Sequence, residues 1–217
     1  MPAEPPGEAR AIDGRVPGRR GRATRRRLLD ETAGLLAETS YRDVTVREIS
    51  RRAGTSSATF YQYFADVEAA VLVLAGEMAD EGSRRLRRLV EDPRWDSVSA
   101  AEGLVGGFMR FYDEHRALLG VIDLAAREGD DRFGALRHRA LGGMFDALCD
   151  LVAEARREAG PSPDLQPPAV AAVLMSMLTN VAAHRPGFES WGLGGDQLEA
   201  AMASIIDASV RALDPRS

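Results

Sequence analysis

The stretch VTVREISRRAGTSSATFYQYF, residues 44–64, carries the most informative pattern in this chain. It begins with Thr45, whose hydroxyl can cap a helix, and Glu48 three residues later completes a capping-box pattern. Gly54 then permits a sharp turn, and Ser56 is placed to cap a second short helix. The stretch therefore predicts two short helices joined by a tight turn.

A longer helix is predicted just before this stretch, from Thr24 to about Ser40. Its apolar face repeats at helical spacing and consists of Leu28, Leu29, Thr32, Ala33, Leu35 and Leu36. Two short helices packed against a preceding helix form a helix-turn-helix, whose second helix is sized to enter a DNA major groove.

The second short helix has the residue types that a groove-reading helix needs. Phe60 and Phe64, four residues apart, are expected to face the core, while Tyr61 and Gln62 point outward and Tyr63 has no clear side. Small or hydroxyl side chains at the helix start allow close approach to phosphates and base edges. These are Ser56, Ser57, Ala58 and Thr59.

Charge is divided unevenly along the chain, whose formal net charge is −5. Residues 1–64 contain 12 Arg and 8 acidic residues, a net charge of +4, whereas residues 65–217 contain 16 Arg and 25 acidic residues, a net charge of −9. Within residues 10–27 there are 8 Arg and one acid, Asp13. The amino-terminal part is expected to meet a polyanion, while the remainder stays in solvent or meets itself.

The rest of the chain also has helical periodicity, with no alternating strand pattern, so the fold class is all-α. Further helices are predicted at 66–91, 97–115, 117–127, 131–158, 168–184 and 196–212. Pro93 is expected to end the first of them. The predicted domains are a flexible Arg/Pro/Gly-rich arm (1–22), a helix-turn-helix DNA-binding domain (23–65) and a larger helical ligand-binding and dimerisation domain (66–217).

Residues 26–78, RRLLDETAGLLAETSYRDVTVREISRRAGTSSATFYQYFADVEAAVLVLAGEM, resemble the DNA-binding domain of the TetR family of bacterial transcriptional repressors. The family's order is a helix with paired apolar residues, then Thr-hydrophobic-x-x-Ile, then Ala-Gly-x-Ser-x-small-Thr-aromatic-Tyr-x-Tyr-Phe. The match covers about a quarter of the chain. The stretches LVEDPRWDS (89–97) and FMRFYDEHRALLGVI (108–122) are only loosely similar to large-pocket actinobacterial members.

The resemblance implies roles for individual residues of the predicted helix-turn-helix. It makes Thr45 and Thr59 phosphate-contacting residues and gives backbone contacts to Tyr61, Gln62 and Tyr63. It makes Arg47, Ser57 and Ala58 candidates for contact with base edges. A solvated surface charge is the alternative interpretation of Arg47.

Two positions depart from the family pattern. Val67 stands where a Lys is common, at the start of the fourth helix, and Ser40 replaces the usual Gly before Tyr41. The missing Lys removes one expected phosphate contact, and we hypothesise that the Arg-rich segment 19–27 supplies the replacement. Deleting residues 1–21 without any loss of DNA affinity at low salt would contradict that hypothesis.

The larger domain offers candidate ligand-binding side chains on facing helices. Phe, Met and Leu between helices can line an adaptable cavity, although ordinary core packing explains the same residues. Gly106, Gly107, Gly142 and Gly143 are expected to leave unfilled volume there. The candidates are Leu104, Phe108, Phe111, Tyr112, His115, Met144, Phe145, Leu148, Met175 and Thr179.

The last two predicted helices, near 168–184 and 196–212, are Ala-rich with Met, Leu and Ile stripes that suit close helix approach. A homodimer through these helices would set two recognition helices about 34 Å apart, which predicts a roughly palindromic double-stranded DNA operator. Asn180 is expected to bond within the core or across this interface rather than to a ligand.

Other classes of protein find little support in the sequence. The three histidines, His115, His138 and His184, form no metal-binding spacing, and GLGGD at 192–196 lacks the preceding strand of a phosphate loop. The lone Cys149 precludes an intramolecular disulfide and suits a packed apolar thiol in a cytoplasmic protein. No cofactor, metal, signal peptide or membrane span is expected.

The sequence thus predicts a dimeric DNA-binding transcriptional repressor, not an enzyme, that a small apolar or amphipathic effector releases from its operator. The alternative is a helical ligand-binding or protein-interaction module whose head does not read DNA. A mobility-shift assay against the DNA that flanks its own gene separates the two.

Overall fold

The computed structural model describes residues 18–91, 98–159 and 166–211. Throughout these ranges the chain is helical and contains no strand, which confirms the all-α prediction. The helices are α1 (Arg19–Glu38), α2 (Val46–Arg52), α3 (Ser57–Tyr63), α4 (Val67–Val90), α5 (Val98–Arg127), α6 (Asp131–Ala159), α7 (Pro167–Glu189) and α8 (Gly195–Arg211), with a 3₁₀ turn at Tyr41–Asp43.

Helices α1, α2 and α3 form a small head around a shared apolar core. Leu28, Ile49 and Phe60 are fully buried there, and the hydroxyl of buried Thr32 donates to the Leu28 carbonyl at 2.8 Å. The predicted apolar face of α1 is therefore correct, except that Ala33 is exposed.

Helices α2 and α3 each begin at the side-chain cap that the sequence predicts. Thr45 Oγ1 accepts from the Glu48 backbone N–H at 3.3 Å, and Ser56 Oγ accepts from that of Thr59 at 3.1 Å. The turn between them passes through Gly54 at φ +64°, a left-handed conformation that glycine adopts without steric cost. The caps satisfy backbone donors that a helix start leaves unpaired, so they fix where α2 and α3 begin.

Three boundaries differ from the prediction. Helix α1 begins at Arg19, so residues 19–22 of the predicted flexible arm are helical. Helix α5 is continuous from Val98 to Arg127, so the expected break near residue 116 is wrong, because HRALLG contains no proline and its Gly120 is tolerated inside the helix. Helix α7 runs on to Glu189 with Pro186 in its final turn. Pro93 lies outside the described residues.

Helix α4 leads from the head into the larger helical part of the chain, here called the body (α4–α8). There it packs along α6 and against α5. Two glycines let these helices approach. A Cβ on Gly107 would meet the side chain of Leu89, and one on Gly143 would meet the backbone carbonyl of Ser83. The expectation of unfilled volume is therefore wrong for Gly107 and Gly143, because α4 occupies the space, whereas a Cβ on Gly142 would meet nothing within 4 Å.

Helices α7 and α8 leave apolar side chains in solvent on a single chain. Val173 on α7 is 68% exposed and Ile205 on α8 is 50% exposed. Among the described residues, α7 is long and apolar enough to cross a membrane, judged by length and composition alone. It packs against α5, α6 and α8, with Leu174 and Leu178 buried.

Candidate DNA-binding surface and ligand cavities

The aromatics of α3 divide between the core and the solvent. Phe60 and Phe64 are buried with ring centroids 5.4 Å apart, whereas Tyr61 is 52% exposed and lies edge-on to Phe60. Packing against Phe60 orients the Tyr61 ring, so its hydroxyl is presented outward on a supported side chain. Tyr63 is half-buried and packs partly against the core.

The predicted DNA-binding residues lie on α3 and at the start of α2. Two of their hydroxyls also cap the helices: Thr45 Oγ1 caps α2 and Ser56 Oγ caps α3. Thr59 Oγ1 lies 3.0 Å from Ser56 Oγ. A hydroxyl that accepts one hydrogen bond retains a proton to donate, so Thr45 can still bind phosphate. In the Ser56–Thr59 pair one hydroxyl donates to the other, and the second keeps its proton for phosphate. Exposed among the set are Thr45, Arg47, Ser56, Ala58, Tyr61 and Gln62, and half-buried are Ser57, Thr59 and Tyr63.

Ion pairs within the head decide which of its arginines remain available to a polyanion. Arg52 binds both carboxylate oxygens of Glu38 at 2.9 and 2.6 Å, and Arg51 binds both of Glu48 at 2.9 and 2.6 Å. The hydrogen bonds from Arg51 hold the pKa of Glu48 at about 2. Arg47, in the first turn of α2, is exposed.

Helix α1 places a further cation beside the end of α3. The guanidinium carbon of Arg25 lies over the ring of Phe64, 5.2 Å from its centroid, and Arg25 Nε is buried with no hydrogen-bond partner among the described residues. Val67, where the family commonly has Lys, is half-buried against the core. Arg25 thus brings positive charge to the region where α4 begins.

The ten candidate ligand residues do not line one open cavity. Five of them are packed into the core or against it, namely Leu104, Met144, Phe145, Leu148 and Met175. Four others, Phe108, Phe111, Tyr112 and Thr179, meet at a cavity of about 20 Å³, here called the inner cavity. Thr179 Oγ1 donates within its own helix to the Met175 carbonyl at 2.8 Å. Only a water molecule would fit such a volume.

An open cleft of about 420 Å³ lies next to the inner cavity, between α5, α6 and α7. The two share Asp123, Arg137 and Thr179 in their walls. Arg137 Nε donates to Asp123 Oδ1 at 2.8 Å, so this ion pair stands between the cleft and the apolar interior. Asn180 lies in the cleft wall rather than in the core.

His115, the tenth candidate, lies elsewhere, in a cleft between the head and the body. The carboxylates of Glu81 and Glu114 surround it, with all three possible ligand atoms within 4.8 Å of one another. Burial lowers the pKa of His115. Sequence spacing missed this group because Glu81 belongs to a different helix, 34 residues before His115.

The described residues provide little for nucleophilic catalysis. Cys149 is half-buried against the core, and burial raises the pKa of its thiol, with Asp146 and Asp150 adding to the effect. A thiol with a raised pKa is a poor nucleophile at neutral pH.

Two family models match the chain. One, described as the C-terminal domain of tetracyclin repressor-like proteins, matches residues 86–216. The other, described as bacterial regulatory proteins of the tetR family, matches residues 28–70 and so includes the turn and both short helices of the head.

Individual relatives resemble either the head or the whole fold. An uncharacterised HTH-type transcriptional regulator of Haemophilus influenzae is 38% identical over 72 residues, and this match spans only 33% of each chain. The FadR regulator of Bacillus subtilis, solved with stearoyl-CoA, has a TM-score of 0.63 at 16% identity, covering 85% of this chain and 97% of that one. The SmeT–triclosan complex has a TM-score of 0.60 at 15% identity, covering 86% and 90%. At these identities the two structures show a shared fold.

Proposed function

This chain belongs to the tetR family of bacterial regulatory proteins, and from that premise we propose that it is a homodimeric repressor released from a palindromic operator by a small apolar or amphipathic molecule. The observation that carries the proposal is the outer face of α3, where Tyr61 stands on a buried Phe60 beside exposed Ala58 and Gln62. Small and polar side chains on a short, firmly capped helix suit entry into a major groove.

Pairing of two chains through α7 and α8 supplies the second reading head. The exposed Val173 and Ile205 form part of an apolar face that a second copy would cover, and Ala169, Ala172 and Ala201 beside them allow close helix approach. Two heads related by a two-fold axis would bind half-sites one helical turn apart.

The inner cavity is the proposed effector site, entered through the cleft behind the Asp123–Arg137 pair. Phe108, Phe111 and Tyr112 provide an apolar aromatic wall, and Thr179 adds one polar group. FadR and SmeT, which share the fold, were solved with stearoyl-CoA, an amphipathic molecule, and triclosan, a largely apolar one. A ligand of this kind must widen the cavity, because its present volume of about 20 Å³ admits no such molecule.

A binding measurement tests the proposal. The full chain, titrated against fluorescent DNA from the region flanking its own gene, is expected to bind a palindromic site as a dimer and to lose affinity when an effector is added. Absence of specific binding over random DNA at matched salt would instead favour a helical ligand-binding or protein-interaction module.

A further inference from the structure

The cleft around His115 is separate from the proposed effector site. It has a volume of about 270 Å³, near the lower end of the volumes of small-ligand sites. It shares no lining residue with the inner cavity or with the open cleft next to that cavity. Helix α1 of the head forms one wall, and α4 and α5 of the body form the others. Its apolar lining consists of Ala33, Leu36, Ala37, Leu74, Met78, Ala117 and Leu118.

One buried atom at the polar end of this cleft lacks a partner, and a half-exposed carboxylate lies beside it. His115 Nε2 is buried and has no hydrogen-bond partner within the described ranges, and Glu81 Oε2 faces it at 3.7 Å, beyond hydrogen-bond distance. Burial lowers the pKa of His115 and so favours the neutral imidazole, in which Nε2 is an acceptor when the proton is on Nδ1. An ammonium group that approaches both atoms from the cleft can donate one N–H to each.

The charges around the cleft also favour a cation. Arg26 pairs with Glu77 at 2.7 Å, while Arg85 is shared between Glu114 and Glu81. Asp30 also pairs with Arg26 at 2.8 Å, and the charge of Arg110 acts on Glu114, so three guanidinium groups face four carboxylates and one negative charge is left beside His115. The bond from Arg85 Nη2 to Glu114 Oε1, at 2.9 Å, is shorter than the 3.4 Å from Arg85 Nη1 to Glu81 Oε1, so Glu81 is the less neutralised carboxylate.

An organic ammonium fits this arrangement better than a metal ion does. Arg85 donates hydrogen bonds to both oxygens of Glu114. Glu81 Oε2 and His115 Nε2 therefore remain as the two atoms that could coordinate a metal ion. Two protein atoms are fewer than the three or four that hold a zinc ion. A metal ion would also leave the apolar wall without a role, whereas the hydrocarbon part of an amine would cover it.

We propose that this cleft is a second binding site, specific for a primary amine with a hydrocarbon body, whose ammonium lies between Glu81 and His115. The hydrocarbon lies along Leu74 and Leu118 toward α1. Because α1 belongs to the head and the two polar residues belong to α4 and α5, an occupant bridges the two parts of the molecule.

Calorimetric titration of the full chain without DNA at pH 7.5 tests the site with octylammonium, octanol and octanoate as probes. At this pH an alkylamine is protonated. We expect one octylammonium per chain, with octanol and octanoate binding at least tenfold more weakly. Glu81→Gln and His115→Phe are each expected to weaken octylammonium binding at least tenfold. Ala37→Trp, at an exposed position in the apolar wall, is expected to block the cleft.

Glu91→Gln is the matched control, because Glu91 is an exposed carboxylate outside the cleft that pairs with Arg87. This variant is expected to bind like the parent. Equal affinities for octanol and octylammonium would overturn the proposal, as would full binding by Glu81→Gln. Displacement of the amine by Zn²⁺, with Zn²⁺ binding lost in the same variants, would overturn it in favour of a metal site. DNA takes no part in the titration, so a failed repressor assignment would leave these outcomes unchanged.

Discussion

At the scale of single residues, the head separates side chains that build it from side chains that are free to bind. Phe60 and Phe64 are buried, Arg51 and Arg52 are held by carboxylates, and Tyr61 and Arg47 are exposed. The sequence motif specified the core aromatics because their four-residue spacing places them on one face of a helix. It did not reveal the paired arginines, since Arg52 meets Glu38 across 14 residues.

The salt dependence of DNA binding tests whether Arg25 contacts a phosphate. If its guanidinium, held over Phe64, contacts a phosphate, Arg25→Gln weakens DNA binding and lowers the slope of log K against log salt. The expected decrease is about 0.9 for each phosphate contact, or roughly 2 for a dimer. Titrations at several salt concentrations measure it, with Arg88→Gln on the exposed part of α4 as a control. An unchanged slope would show that Arg25 only packs on Phe64.

At the scale of helices, α2 depends on an ion-pair network anchored by Glu48. The pKa of this carboxyl is lowered to about 2, chiefly by hydrogen bonds from Arg51. A lowered pKa in the folded state stabilises the fold above the unfolded pKa, near 4.3, and this contribution is lost as pH falls toward 2.

The melting temperature of Glu48→Gln should therefore differ from that of the parent most at pH 6–7. The parent is expected to be the more stable there, and the gap should close as the pH is lowered through the range of about 4.5 to 2. Because the network is exposed, the gap at neutral pH is small. A gap that is constant with pH would mean that the Glu48 charge does not stabilise the head.

The α7–α8 face carries the prediction about assembly. Val173→Glu together with Ile205→Glu places charges on the exposed apolar face, and we expect these to convert a dimer into monomers in light scattering after gel filtration. Leu124→Glu, at an exposed leucine on α5, is the control that should remain dimeric. A doubly substituted protein that stays dimeric would exclude this face as the interface.

Helix positions followed from periodicity and caps, whereas the cavities did not. Thr45, Ser56 and Gly54 set the head locally, so three residues sufficed to place α2 and α3. In contrast, the sequence predicts empty space beside Gly107 and Gly143, but Leu89 and Ser83 of α4 occupy it. Such packing depends on which helices become neighbours, and a single sequence does not encode that in its local pattern.

In the molecule as a whole, the head joins the body through α4, through apolar packing of α1 on α4 and α5, and through a few exposed ion pairs. Arg26 on α1 reaches Glu77 on α4 at 2.7 Å, and Arg42 lies 3.7 Å from Glu128 after α5. Exposed pairs contribute about 0–1 kcal/mol each. These ion pairs therefore hold the head only weakly, whereas the apolar contacts of α1 with α4 and α5 resist its movement. A ligand that prefers one orientation of the head by about 1–3 kcal/mol would change DNA affinity usefully.

Blocking the inner cavity tests the proposed effector route. Leu141→Trp fills the space beside Phe108 and Tyr112, so the variant should bind DNA like the parent but no longer release it when an apolar or amphipathic probe that releases the parent is added. Leu124→Trp places the same side chain on the surface of α5 and should respond normally. If the parent responds to a probe and Leu141→Trp responds equally, that probe acts at another site.

Binding of DNA by α3 is measured with a double variant of its outer face. The affinity of Thr59→Ala plus Tyr61→Ala for the DNA flanking its own gene is compared with that of the parent at matched salt, after thermal melting has shown both to be folded. Each lost hydrogen bond to a charged phosphate is worth about 1.5–3 kcal/mol, so we predict at least a tenfold loss of affinity. Equal affinity of the two proteins would show that Thr59 and Tyr61 on α3 do not contact DNA.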